Sequence, residues 1–168
     1  DFLSANYDFS NTVLNSHVKP YKIFKIENLK VGIFGLGVKL HGLVDKKLYK
    51  ETEYLDPLET SQEMSRILKE VEKCDLIICL SHLGYDYSGN PEIISDLIIA
   101  ENSKHIDLII GGHTHTFMRK ADIRRNKSGD QVIINQAGWA GILLGQVNIY
   151  FEKNKKGTCI SCKNKYVS

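Results

Sequence analysis

Three of the six histidines stand where chemistry can be done. His82 follows the run Asp75-Leu76-Ile77-Ile78-Cys79-Leu80-Ser81, and His113 and His115 follow Asp107-Leu108-Ile109-Ile110-Gly111-Gly112. Both runs are short, apolar and bounded by polar residues, which is the pattern of a buried, parallel strand. In an open α/β sheet, ligands bind beyond the carboxyl ends of such strands. One crossover joins the two runs, so they are expected to be neighbours, with His82 brought near His113 and His115. In extended backbone, residues two apart face one side, so His113 and His115 should point together. Gly111-Gly112 should let the main chain turn sharply and approach a bound ion closely. Imidazole nitrogen suits Zn, Fe, Mn, Co or Ni rather than Ca or Mg. A lone His-x-His pair says little; two histidine motifs at two adjacent strand ends say much more.

The other histidines, His17, His41 and His105, lie in polar or turn-like surroundings and read as surface residues. Cys74 and Cys79, within an apolar stretch, read as small hydrophobes. Cys159-Ile-Ser-Cys162 has the C-x-x-C spacing of a metal or redox pair. In a strand, however, positions three apart face opposite sides, so a structural role is the better reading.

The elements that must position these residues follow from periodicity. Lys19 to Glu27 alternates polar and apolar, a strand; Asn28-Leu29-Lys30 is a turn; Val31 to Leu36 is a second, more buried strand. Its glycines match no phosphate-cradling fingerprint. Residues 37–59 form a long connection without a period, uncommon unless it serves a site. Thr60-Ser61-Gln62-Glu63 reads as a capping box opening a helix whose apolar face is Met64, Ile67, Leu68 and Val71. A shorter helix, starting at Asn90-Pro91 or at Ser95-Asp96, reaches about Asn102. Strand, helix, strand, helix, strand implies right-handed crossovers in one largely parallel sheet. Phe117–Asp122 and Gln131–Asn135 read as strands about a turn at Ser128-Gly129. Ile142–Glu152 and Thr158–Val167 read as two more, an antiparallel extension.

The 168 residues suffice for one domain with a core. Hydrophobic residues are 42% and charged residues 25%, ordinary for a globular chain. The net charge of +2, with signs scattered, argues against a nucleic-acid surface. The densest basic patch, Arg119-Lys120 and Arg124 to Lys127, is broken by Asp122 and reads as a solvated hairpin. No apolar run is long enough to span a bilayer.

Ser81-His82-Leu83-Gly84, followed by Ile106-Asp107-Leu108-Ile109-Ile110-Gly111-Gly112-His113-Thr114-His115-Thr116, closely resembles the last two metal motifs of calcineurin-like metallophosphoesterases. The match is nearest the 5′-nucleotidase and UDP-sugar hydrolase branch. Val132 to Trp139 resembles the strand that follows there, and Phe2-Leu3-Ser4-Ala5-Asn6 resembles the segment after that family's Gly-Asn-His-Glu motif. The resemblance implies part of a four-layer α/β/β/α metallophosphatase sandwich. It also implies a hydrolase acting on nucleotides or related phosphoesters. In that chemistry, two divalent metals (Zn, Mn, Fe or Co) sharing a carboxylate activate water and polarise the phosphoryl group. By motif, His82 and His113 would bind one metal and His115 the other. A bacterial periplasm or cell surface is the implied location.

The sequence departs from that pattern in one respect. The family's Asp-x-His, Gly-Asp and Gly-Asn-His-Glu motifs, which should come earlier, do not occur ahead of these histidines, nor do these residues include its nucleotide-binding C-terminal domain. Residues 1–168 are therefore expected to be the C-terminal half of a metallophosphoesterase domain, with no catalytic or substrate-contacting residue assigned. Weak metal occupancy and an inactive isolated chain are expected, as is self-association through exposed sheet. The alternative is a non-catalytic half-domain serving as a metal-binding or interaction module.

Overall fold

The computed structural model describes residues 2–151 and 158–167. Three short strands come first: β1 (Phe2–Leu3), β2 (Tyr7–Asp8) and β3 (Val18–Lys19). The alternating stretch then forms β4 (Tyr21–Ile26), which pairs antiparallel with β5 (Leu29–Leu36). The long connection carries α1 (Lys46–Tyr49) and β6 (Glu53–Tyr54), the latter paired with β2. It is tied to the N-terminal segment. Asn6 both donates to the Gly37 carbonyl and accepts from the Gly37 amide, each at 2.8 Å.

The first long helix, α2 (Pro57–Arg66), begins earlier than the Thr60–Glu63 capping box predicts. Asp56 is the cap: its Oδ1 accepts from the amides of Leu58 and Glu59, and Pro57 occupies the first turn. Aspartate at the cap followed by proline satisfies the open amides better than Thr60 could from inside the helix. A π-type turn, Ile67–Val71, ends it, with the Glu72 amide bonded to the Ile67 carbonyl. That wider turn rotates the apolar stripe. Leu68 stays fully buried, but Val71 is 63% exposed rather than on the buried face.

The remaining elements are β7 (Leu76–Ser81), α3 (Asp96–Asn102) and β8 (Leu108–Ile110), then β9 (Asp122–Arg125), β10 (Gln131–Asn135), β11 (Leu143–Phe151) and β12 (Thr158–Tyr166). Of the two starts considered for α3, Ser95 is the one used; its hydroxyl caps the Ile98 amide. The strand expected over Phe117–Asp122 forms later. Phe117 makes only an isolated bridge to Ala137, and pairing with β10 begins at Asp122.

A six-stranded sheet in the order β4-β5-β7-β8-β10-β9 is the centre of the fold. The β5-β7, β7-β8 and β8-β10 pairs are parallel, and the edge strands β4 and β9 are antiparallel to their neighbours. One sheet face carries Phe34, Ile77, Cys79, Ile109, Val132 and Ile134, packed with Leu68 and with Ile99 and Ala100 of α3. The other carries Val31, Leu76, Ile78, Leu108 and Ile133, against which Val147, Ile149, Ile160 and Cys162 of the β11-β12 hairpin pack. Both faces are covered there, which is why these strands are uninterrupted apolar runs in the sequence. Toward the carboxyl ends the hairpin's cover gives out, and Leu80 and Ile110 are each 40% exposed.

Cys74 and Cys79 are buried free thiols, as small hydrophobes should be, and burial pushes both up from the usual thiol range. Cys162 is a free thiol against the second cluster; the Cys159 side chain lies outside the described ones. The basic patch is a hairpin, with Asn126 accepting from the amides of Ser128 and Asp130 in its turn. Among the described residues, no helix is long and apolar enough to cross a membrane.

Candidate metal centre

The register of β7 against β8 sets the site. Ile78, Cys79 and Leu80 lie opposite Leu108, Ile109 and Ile110, so the two strands end side by side. His82 continues one strand and Gly111 the other. The His82 amide donates to the Leu36 carbonyl at 2.8 Å, which fixes the start of its loop. Beyond the strand ends, the His82 and His113 rings meet edge to face, 5.1 Å between centroids at 68°. Partial desolvation, and then the neighbouring His113 and His115 imidazoles, hold His82 below the usual histidine range. A cleft of about 500 Å³ adjoins His82, lined also by Leu3, Tyr7, Gly37 and Ile110.

The His115 ring stacks on the exposed Trp139 indole, with centroids 5.8 Å apart and planes 11° from parallel. The expectation of extended backbone at His113 and His115 is corrected. His113 has φ 72° and His115 φ 53°, both left-handed. Histidine visits that region more readily than most side chains, but at a cost of about 1–2 kcal/mol per residue. The two glycines before them are not the turning residues. A Cβ at Gly112 would lie 3.2 Å from His82 Nδ1, and one at Gly111 would lie 2.2 Å from Asp96 Oδ2. They are small so that other side chains can fit.

Asp96 had no place in the sequence-based site. It is fully buried at the start of α3, and burial raises its carboxyl to about 6, against the opposing pull of Ser81 and Gln136. Its Oδ2 accepts from Gln136 Nε2 at 3.1 Å, while Oδ1 has no well-formed hydrogen bond among the described residues. The sequence showed Ser95-Asp96 as a helix start, but nothing local signals that the carboxylate turns inward. Gln136 and Trp139 were likewise missed as neighbours of the histidines, because only the fold brings the chain after β10 back to them.

His17 and His41 are exposed, as read from the sequence. His105 is half-buried, its Nε2 3.6 Å from Glu70 Oε1. Among the described residues, no group of three or more His, Cys, Asp or Glu side chains is gathered to hold a metal. Nor, among them, does a hydrogen bond engage the ring nitrogens of His82, His113 or His115. The donor set fits a transition metal in kind, as paired imidazole nitrogens, but not in number.

Residues 3–117 match the calcineurin-like phosphoesterase family, and the chain belongs to that family. It is 33% identical over 168 residues to the trifunctional nucleotide phosphoesterase protein YfkN of Bacillus subtilis, covering 90% of this chain and 11% of that protein. It is 27% identical over 165 residues to the NAD 5′-nucleotidase of Haemophilus influenzae, covering 89% of this chain and 26% of that protein. The crystal structure of the 5′-nucleotidase precursor from Thermus thermophilus superposes with a TM-score of 0.78 at 25% identity, over 98% of this chain and 33% of that one. The chain thus spans 11% to 33% of the length of these relatives. Its fold is the metallophosphatase fold, its family hydrolyses phosphoesters, and the family name implies divalent metals.

Proposed function

We propose that these residues supply the imidazole part of a two-metal site in a phosphoester hydrolase of 5′-nucleotidase type, acting on nucleotides or related phosphoesters. His82 and His113 hold one metal and His115 the other. The carrying observation is the meeting of the His82 and His113 rings at 5.1 Å, delivered by two parallel strands in register. Zn, Mn, Fe or Co fits the nitrogen donors. Bound there, such ions supply Lewis-acid polarisation of a phosphoryl oxygen. The chain's own part is to orient nitrogen donors: the Leu36 carbonyl anchors the His82 loop, the left-handed turn aims His113 at His82, and Trp139 holds the His115 ring flat. An exported location, periplasm or cell surface, accords with the resemblance to the 5′-nucleotidase branch.

A second reading is a non-catalytic metal-binding or interaction module. Calorimetric titration with Co²⁺ tests the metal site. His82→Ala and His113→Ala should each lower affinity by at least about 100-fold, beyond what outer contacts cost, and His105→Ala should not. Equal affinity in all three variants would sink the proposal. Hydrolysis of p-nitrophenyl phosphate with Mn²⁺ or Zn²⁺, abolished in His113→Ala, would set aside the module reading.

A further inference from the structure

Two left-handed histidines separated by one residue are an unusual backbone. Strain of that kind persists only where the surroundings over-determine it. The surroundings here converge on one side chain. Gln136 follows β10 and is 1% exposed. Its Nε2 donates to the Gly112 carbonyl at 3.0 Å and to Asp96 Oδ2 at 3.1 Å. Its Oε1 accepts from the Thr116 amide at 3.1 Å and from the Thr114 hydroxyl at 3.4 Å. The amide thus bonds both ends of the turn that carries His113 and His115, and its hydrogen-bonding capacity is filled. The Thr116 amide can only donate and the Gly112 carbonyl can only accept, so the side-chain orientation is determined.

Asp96 holds this amide from behind and also ties in the other histidine loop. Its backbone amide donates to the Gly84 carbonyl at 2.8 Å, two residues past His82. The two loops are joined directly as well, by the Tyr85 amide donating to the Thr114 hydroxyl at 3.0 Å. Gly111 lies beneath, where a Cβ would meet Asp96 Oδ2 at 2.2 Å and Gln136 Nε2 at 2.7 Å.

We infer that Gln136, held by Asp96, is the positioning residue that keeps the His113–Thr114–His115 turn left-handed and so sets where both imidazoles point. Neither side chain reaches the site itself; both act through the turn. That this serves a metal rests on the function proposed above, whereas the turn can be tested without one.

The test uses the isotope-labelled chain and the strong intraresidue amide–Hα cross-peak that a positive φ produces. In the metal-free protein, His113 and His115 should both show it. Gln136→Glu keeps the length but faces the Gly112 carbonyl and Asp96 with a carboxylate, and both cross-peaks should weaken to the level of neighbouring residues. Asp96→Asn keeps an acceptor for Gln136 and should retain them. Co²⁺ affinity should fall about 10- to 100-fold in Gln136→Glu, the range for groups that orient ligands, and change little in Asp96→Asn. Should Gln136→Glu unfold the chain, Gln136→Met is read in the same way without the added charge. Absence of the cross-peaks in the parent chain would overturn the inference. So would their persistence in a folded Gln136 variant, or unfolding of both variants, since a clamp local to one turn does not carry the core. If the parent chain binds no Co²⁺, the metal proposal fails while the cross-peaks still decide the inference.

Discussion

Gly111→Ala is expected to destabilise the chain by about 3 kcal/mol, although it adds a single methyl group. The new Cβ would stand 2.2 Å from Asp96 Oδ2 and 2.7 Å from Gln136 Nε2. Asp96 and Gln136 are 0% and 1% exposed, so neither can swing into solvent. Overpacking of this kind costs about 1–3 kcal/mol, and breaking the buried bond between these side chains adds about 1–3 kcal/mol. Gly112→Ala is the informative contrast. Its Cβ would meet His82 Nδ1 at 3.2 Å, and His82 is exposed. Its cost should stay below about 1 kcal/mol. Urea unfolding followed by circular dichroism measures both. Equal midpoints would mean that Gly111 is not the seat of the Asp96–Gln136 contact.

Asp96→Asn should remove a distinct pH dependence of stability. The folded carboxyl sits at about 6, above its ordinary 3.8, so the folded state holds its proton more tightly than the unfolded chain does. Stability from that proton is fully present below about pH 4 and is lost as pH rises through about 6. The displacement corresponds to about 3 kcal/mol. Other carboxylates titrate over the same range, so the informative quantity is the difference between parent and variant. That difference should move by about 3 kcal/mol in the variant's favour between about pH 4 and pH 7, then level off. Parallel stability curves across that range would show that Asp96 ionises without penalty.

The strands that carry the site were legible because burial on both faces writes itself as a continuous apolar run. Leu76–Ser81 and Leu108–Ile110 fall within a residue of where periodicity places them, and His82 and His113 meet as their strand ends imply. Short-range signals were legible only where one outcompeted the rest. Asp56-Pro57 was present in the sequence as a helix start, yet Thr60 to Glu63 had the better pattern and lost to the better cap. The rest was not legible because it depends on residues far apart in the chain. The left-handed histidines are held by a glutamine about twenty residues later. The small size of Gly111 answers to an aspartate from the preceding helix. Likewise, the Asn135 and Asn164 side chains bond reciprocally and pin the β11-β12 hairpin to the sheet, a contact no local pattern foretells.

The chain contains one tryptophan, and it is the residue stacked on His115. Indole emission from this protein therefore comes from a single place, one ring away from a proposed ligand. A paramagnetic ion such as Co²⁺ seated on His115 should quench that emission, and His115→Ala should abolish the quenching while leaving the ion at His82 and His113. The two halves of the proposed site can then be titrated separately, the His115 half by light and the other by heat. The stack that holds the imidazole flat also gives the molecule its own optical gauge.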